Sequence, residues 1–124
     1  MNEKIYSEKA PAAIGPYSQA IRSNGLLFLS GMMPIDPEKN ELVENNIVLQ
    51  AEQIMKNIDA VLVQAGYTVD DVVKTTCFLA DIADFASFNE VYGKYFTSKP
   101  ARSCVAVKDL PKGALVEVEV IAFK

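Results

Sequence analysis

The chain of 124 residues has no histidine and no tryptophan, and only two of its 12 basic residues are arginine, Arg22 and Arg102. Without imidazole there is no Ser-His-Asp or Cys-His nucleophile system, no His-ligated metal and no histidine acid or base. Any catalysis falls to carboxylates, tyrosine, lysine, cysteine, backbone groups and water, and neither a metal nor a cofactor is expected. Basic residues are also few. The 12 Lys and Arg stand against 16 Asp and Glu, a net charge of -4 with no basic stripe. Affinity for duplexes is built from cations on phosphates, so a nucleic-acid partner is not expected. The two cysteines, Cys77 and Cys104, fit no zinc spacing and no CxxC motif, and would pair only if the fold brought them together. No apolar run approaches the roughly 18 residues of a membrane span, and no apolar signal core follows the N-terminus. A cytoplasmic protein without membrane contact is the expectation.

What is present describes one globular domain over residues 1–124, half of it hydrophobic. A chain of this size buries on the order of two thirds of its unfolded surface, enough to fold without disulfide or metal. Residues 10–16 are turn-rich and apolar, a loop packed on something. The chain can be extended from Tyr17 to Arg22, Ser23-Asn24-Gly25 is a tight turn, and Leu26 to Gly31 reads as a strand buried on both faces. Pro34 and Pro37 open a polar loop through Glu44. Asn45 or Asn46 caps a helix running to about Ala65, with apolar residues at three- and four-residue spacing and Gly66 as its stop. Val72 to Leu79 is rich in β-branched residues and reads as a strand. Asp84 caps a second helix with Phe85, Phe88, Val91, Tyr92, Tyr95 and Phe96 on one broad face. Ser103–Lys108, a Pro111-Lys112-Gly113 turn and Leu115–Phe123 read as a β-hairpin. The order of elements predicts an α+β sandwich with two helices on one face of a mixed sheet. Several strands are apolar on both faces, so the second sheet face needs cover, and a homo-oligomer is expected.

The last strand carries the first candidate site. Alternation puts Val116, Val118, Val120 and Ala122 on a core face, and Glu117 and Glu119 on the other, about 7 Å apart among Leu115, Ile121 and Phe123. Carboxylates among apolar side chains suggest a pocket or an interface, against the plainer alternative of a solvated face. Alternation treats the two glutamates alike. Arg102 alternates to the same side as Cys104, and an arginine where lysine is the rule points to a bidentate carboxylate or phosphate contact. A surface ion pair is the competing reading. Cys104 beside a guanidinium is either a thiol of lowered pKa or a small packed side chain, while Cys77 belongs to the core. Arg22 reads as an ordinary strand-end residue. Tyr17, Ser30 and Asn89 are polar groups on or beside apolar elements, and Ser30-Gly31 at a strand end lets a ligand approach the backbone.

Three segments carry a resemblance across nearly the whole chain. They are Ala10-Pro11-Ala12-Ala13-Ile14-Gly15-Pro16-Tyr17-Ser18-Gln19-Ala20, Leu29-Ser30-Gly31 and Pro100-Ala101-Arg102-Ser103-Cys104-Val105, with Val73-Lys74-Thr75-Thr76 and Phe85 through Asn89 also matching. The chain resembles the RidA (YjgF-like) family of reactive-intermediate deaminases. The resemblance implies a chorismate-mutase-like α+β fold assembled as a homotrimer, with pockets in the clefts between subunits. It implies hydrolysis of enamines and imines such as 2-aminoacrylate, 2-iminopropanoate and 2-iminobutanoate, released by serine and threonine dehydratases, to 2-keto acids and ammonia. By the same resemblance Arg102 clamps the substrate carboxylate, and Glu117, rather than Glu119, holds or activates the water. Cys104 lines the pocket, and Tyr17, Ser30, Gly31 and Asn89 contribute to it, some from the neighbouring subunit. Two departures bear on pocket shape: a shorter loop before Pro100, and Met32 where Gln is common. The competing functions are a keto-acid-binding regulatory protein without turnover and, against the charge and the missing histidine, a ribonuclease or translation inhibitor.

Overall fold

The computed structural model describes residues 2–124 as one six-stranded sheet with two helices on one face. In chain order the elements are β1 (Glu3–Ile5), β2 (Ala20–Ser23), β3 (Leu26–Met32), β4 (Ile35–Asp36), β5 (Glu41–Leu42), α1 (Ile47–Ala65), β6 (Val72–Leu79), α2 (Phe85–Tyr95), β7 (Ala101–Ala106) and β8 (Val116–Phe123). The main sheet runs β1-β2-β3-β8-β6-β7, and β4 and β5 form a separate two-stranded ribbon. No described helix is long and apolar enough to cross a membrane.

Helix α1 starts where Asn46 accepts a hydrogen bond from the Leu49 amide at 3.0 Å, and ends at Gly66 in the left-handed region with φ 83°. Asparagine supplies the oxygen that the first turn lacks, and glycine carries no Cβ penalty at positive φ. The second helix begins differently from expectation. Asp84 makes no side-chain cap; Asp81 does, accepting from the Ala83 amide at 2.9 Å to start a short 3-10 turn that runs into α2. The inward face of α2 carries the fully buried Phe88 and the buried Tyr92, and the buried Phe96 follows it.

The expected hairpin at the C-terminus does not form. β8 inserts in the middle of the sheet, antiparallel to both β3 and β6, while β7 lies parallel to β6 at the far edge. The reason lies in burial. Val116, Val118, Val120 and Ala122 are each 1% exposed or less, which a central strand under two helices satisfies, whereas β7 exposes Ala101, Ser103, Val105 and Ala106. Two short pieces also lay unread in the sequence: β1, pinned by the Arg22–Glu3 salt bridge at 2.8 Å, and the β4–β5 ribbon within the polar loop.

Five polar residues are buried: Ser7, Gln19, Gln50, Asn57 and Thr75. Buried polar groups are tolerated when hydrogen-bonded, and no described buried side-chain polar atom lacks a partner. Three of the five are amides that tie irregular chain to the sheet and α1. Gln19 accepts from the Ser7 amide at 2.7 Å and donates to the Pro11 carbonyl at 2.8 Å. Asn57 donates to the carbonyls of Met33 at 3.2 Å and Ile35 at 2.9 Å. Gln50 accepts from the Leu115 amide at 2.8 Å. Removing such an amide leaves main-chain groups unpaired, at about 1–3 kcal/mol. Asn57→Ala is therefore expected to lower stability by about that much. Denaturant unfolding measures the loss, and hydrogen exchange should quicken at residues 33–36. Unaltered protection there would show that the loop is held by other means.

A candidate active site divided between two faces of the sheet

The open face of the sheet bears a cavity of about 510 Å³, walled by Tyr17, Ser30, Gly31, Met32, Lys112 and Glu117 among others. Its floor is a β-bulge. Leu29 pairs with Val120 but Met32 with Val118, so one extra residue is accommodated at Ser30-Gly31. Ser30 is fixed there by donating from its hydroxyl to the Ser18 carbonyl at 2.6 Å and from its amide to the Gln19 carbonyl at 3.0 Å. Gly31 is required by close approach. A Cβ on it would lie 2.8 Å from Cδ of Glu117, inside van der Waals contact. The Glu117 carboxylate thus lies across a glycine, half-buried, while Glu119 is exposed. Both glutamates line the cavity, but only Glu117 lies against the glycine and is half-buried. Burial raises the Glu117 pKa above the usual carboxylate range, and the negative charge of Glu119 adds to the rise. Lys112, at the rim, holds a left-handed backbone with φ 59°.

The second group lies at the opposite edge. Arg102 on β7 donates to Oδ1 of Asn89 at 2.7 Å, and its guanidinium stands 4.6 Å over the Tyr92 ring and 5.6 Å from that of Phe85. Tyr92 is itself held through its hydroxyl, 2.7 Å from Oγ1 of Thr75. Asn89 and Tyr92 are three apart on α2 and so share a face, and Thr75 is the in-register neighbour of Arg102. The guanidinium is oriented by an amide and two aromatic faces, yet neutralised by no carboxylate: the one salt bridge among the described residues joins Arg22 to Glu3. Beside it is a recess of about 310 Å³ that includes Phe96, Lys99 and Pro100. Cys104 follows on the same face of β7, partly buried, with its pKa raised by desolvation against the lowering effect of Arg102. The net shift is upward, opposite to the one that activates a thiolate.

The candidate residues thus fall into two sets. Tyr17, Ser30, Gly31 and Glu117 meet at the open-face cavity, and Asn89, Arg102 and Cys104 meet at the helix-side edge. Glu117 is paired with Phe78 on β6, and Arg102 with Thr75. Those two β6 residues are an odd number apart and point to opposite faces. One copy of the chain does not bring Arg102 and Glu117 together. Thr75, Tyr92, Phe85 and Lys112 join the two groups without having been singled out. Tyr92 carried a detectable signal, its spacing of three from Asn89, but reads in the sequence as one more core aromatic.

Residues 7–124 match the family described as Endoribonuclease L-PSP. The chain is 49% identical to Reactive Intermediate Deaminase A, chloroplastic, of Arabidopsis thaliana, over 97% of this chain and 65% of that one. It is 54% identical to Putative regulator AldR of Lactococcus lactis over 91% of this chain and 90% of the relative. Among solved structures, the Rid family protein YyfA of Yersinia pestis superposes with a TM-score of 0.97 at 53% identity, over 100% of both chains.

The raised pKa of Glu117 has a consequence for stability that is independent of function. The folded protein binds the proton more tightly than the unfolded chain does, so ionising Glu117 costs stability. Below the unfolded value, about 4.3 for glutamate, the cost is absent, and it grows as pH rises through the folded value. Glu117→Gln is expected to raise the urea midpoint at pH 8, with the gain shrinking on acidification and gone below about pH 4. A midpoint difference independent of pH would show that the carboxylate is not desolvated.

Proposed function

The chain belongs to the Endoribonuclease L-PSP family, the family of the Rid proteins, and from that premise we propose that it hydrolyses 2-imino and 2-enamino acids to 2-keto acids and ammonia, at a site shared between subunits of a homotrimer. The observation that carries this reading is the unneutralised, rigidly held guanidinium of Arg102. A fork of donors facing no carboxylate of its own chain suits the carboxylate that every such substrate carries.

An imino carbon is electrophilic enough for water to attack without a strong nucleophile. What helps is a fixed substrate and a placed water. Arg102 binds the carboxylate, with Asn89 and Cys104 beside it. Glu117, supplied across the interface with Tyr17, Ser30 and Gly31, takes a proton from the attacking water. It then returns one to nitrogen as the carbinolamine expels ammonia; enamine substrates first take a proton at carbon. A carboxylate with a raised pKa suits both directions of transfer, because general acid–base catalysis is most effective when the pKa approaches the working pH. Substrates are 2-aminoacrylate, 2-iminopropanoate and 2-iminobutanoate, as serine and threonine dehydratases release them.

The shared site and the open sheet face support one another. Phe28, Val105 and Phe123 on that face are 41%, 46% and 55% exposed, in company with Ile21, Phe78 and Ile121. An apolar patch of this kind is expected at an interface, and a second copy laid over it supplies the missing half of the site.

Two experiments test the proposal. In an assay coupled to a dehydratase, Arg102→Ala and Glu117→Gln should each lower acceleration of keto-acid release by about 10²-fold or more. Activity retained by Arg102→Ala would overturn the role of the guanidinium. Ligand bound but not consumed by the unaltered protein would instead favour the regulatory reading that the Lactococcus relative's name suggests. The second experiment reads the division of the site. Each variant alone is inactive, but refolding them together should restore activity, because some interfaces then pair an intact Arg102 with an intact Glu117. No recovery in mixed oligomers would place both residues on one subunit's site.

A further inference from the structure

The parallel pairing of β6 and β7 sets Cys77 and Cys104 opposite one another, in register and on the same face. Both are free thiols, close enough that each shifts the other's ionisation. Neighbouring strands lie about 4.8 Å apart, within the Cα separation of about 4.4–6.8 Å that a disulfide bridges. The two thiols differ in access. Cys77 is fully buried, whereas Cys104 is partly open on the edge strand that carries Arg102. A thiol that solvent reaches, backed by one that only its neighbour reaches, is the arrangement of an oxidisable cysteine and its resolving partner.

We propose that Cys104 and Cys77 form a reversible redox pair, in which a peroxide oxidises Cys104 and Cys77 then closes a disulfide between β7 and β6. In the first step the Cys104 sulfur displaces one oxygen of the peroxide, giving a sulfenic acid and releasing water or an alcohol. In the second the Cys77 sulfur attacks that of Cys104, the S–O bond breaks, and hydroxide leaves with the Cys77 proton as water. The peroxide gains two electrons and the thiol pair loses two. Burial pushes the Cys104 thiol up, which slows its reaction and calls for elevated peroxide. Resting on the assignment of Cys104 to the substrate cleft, the disulfide draws its sulfur towards β6, away from the ligand bound at Arg102.

The test uses the full chain, treated with hydrogen peroxide or with diamide, which joins neighbouring thiols without a sulfenic step. Remaining thiols are alkylated after denaturation and the products mapped by mass. The expected product is a chain two hydrogens lighter, with Cys77 linked to Cys104 and both thiols returned by dithiothreitol. Cys77→Val, a replacement of similar volume, should form no intrachain disulfide and should accumulate Cys104 sulfinic acid instead. Both thiols remaining alkylatable after either oxidant, or Cys104 passing to the sulfinic acid in the unaltered chain, would overturn the pair. Keto-acid production is read separately and should fall several-fold on oxidation and recover on reduction. A disulfide that forms without changing turnover upholds the pair and removes Cys104 from the cleft. An inactive protein that still forms the disulfide overturns the deaminase reading alone.

Discussion

Side chains on a β-strand alternate between faces, and in this molecule one face of the sheet is already taken by two helices. Much else follows from that constraint. β8 can be central only by giving Val116, Val118, Val120 and Ala122 to the helix side, which leaves Glu117 and Glu119 on the open side. β7 joins at the edge, where its helix-side residue Arg102 reaches Phe85, Asn89 and Tyr92 on α2. The sheet backbone then stands between Arg102 and Glu117, and the reaction proposed above asks a second copy of the chain to join them.

The walls of the open-face cavity are irregular chain, and irregular chain is where main-chain groups are hardest to satisfy. Here buried amides do it. Gln19 holds the Ser7–Pro11 segment behind Tyr17, Asn57 holds the turn after Met32, and Gln50 holds Leu115 beside the Lys112 rim. Because they sit on β-sheet lead-ins and α1, the rigidity of regular structure passes to loops that have little of their own. An amide suits this task better than an ionised group, since it both donates and accepts and carries no charge to desolvate. The same economy is seen at the edge, where Thr75 fixes Tyr92 and Tyr92 with Asn89 fixes Arg102.

Periodicity made α1, the Val72–Leu79 strand and the core face of β8 legible, because each signal is local: spacing of three or four with Asn and Gly at the ends, or spacing of two. Pairing is not local, and here the local pattern misleads. Ser103–Lys108 and Leu115–Phe123 flank a Pro-Lys-Gly turn and look like a hairpin, yet β8 buries more by lying between β3 and β6 than it would beside β7 alone. β1 is three residues long and charged, so it carries no pattern. At the site, residue types pointed to Arg102 and strand alternation to a pair of glutamates. The choice of Glu117 by geometry needed the bulge at Ser30-Gly31, which depends on how β3 pairs with β8 and leaves no periodic trace. The split of the site between faces follows from the register of Arg102 with Thr75, and that too is invisible until strand order is known.

For the proposed reaction, a chain without histidine has to obtain proton transfer near neutrality from a group that ordinarily titrates in acid. Desolvation over Gly31 and the nearness of Glu119 move Glu117 in the required direction, at a cost in stability that a solvated carboxylate would not incur. Arg102 has no countercharge in its own chain, only aromatic faces and an amide. Lysine would not serve there, because its point charge offers no plane to lie on Tyr92 and no fork to grip a carboxylate. In the proposed reaction each group meets a ligand that answers it: a carboxylate for the guanidinium, a bound water for the raised acid. Departures from the most stable choice are expected to concentrate where function is made. In this molecule the two groups lie on opposite faces of one sheet, and the proposed reaction asks a second copy of the chain to unite them.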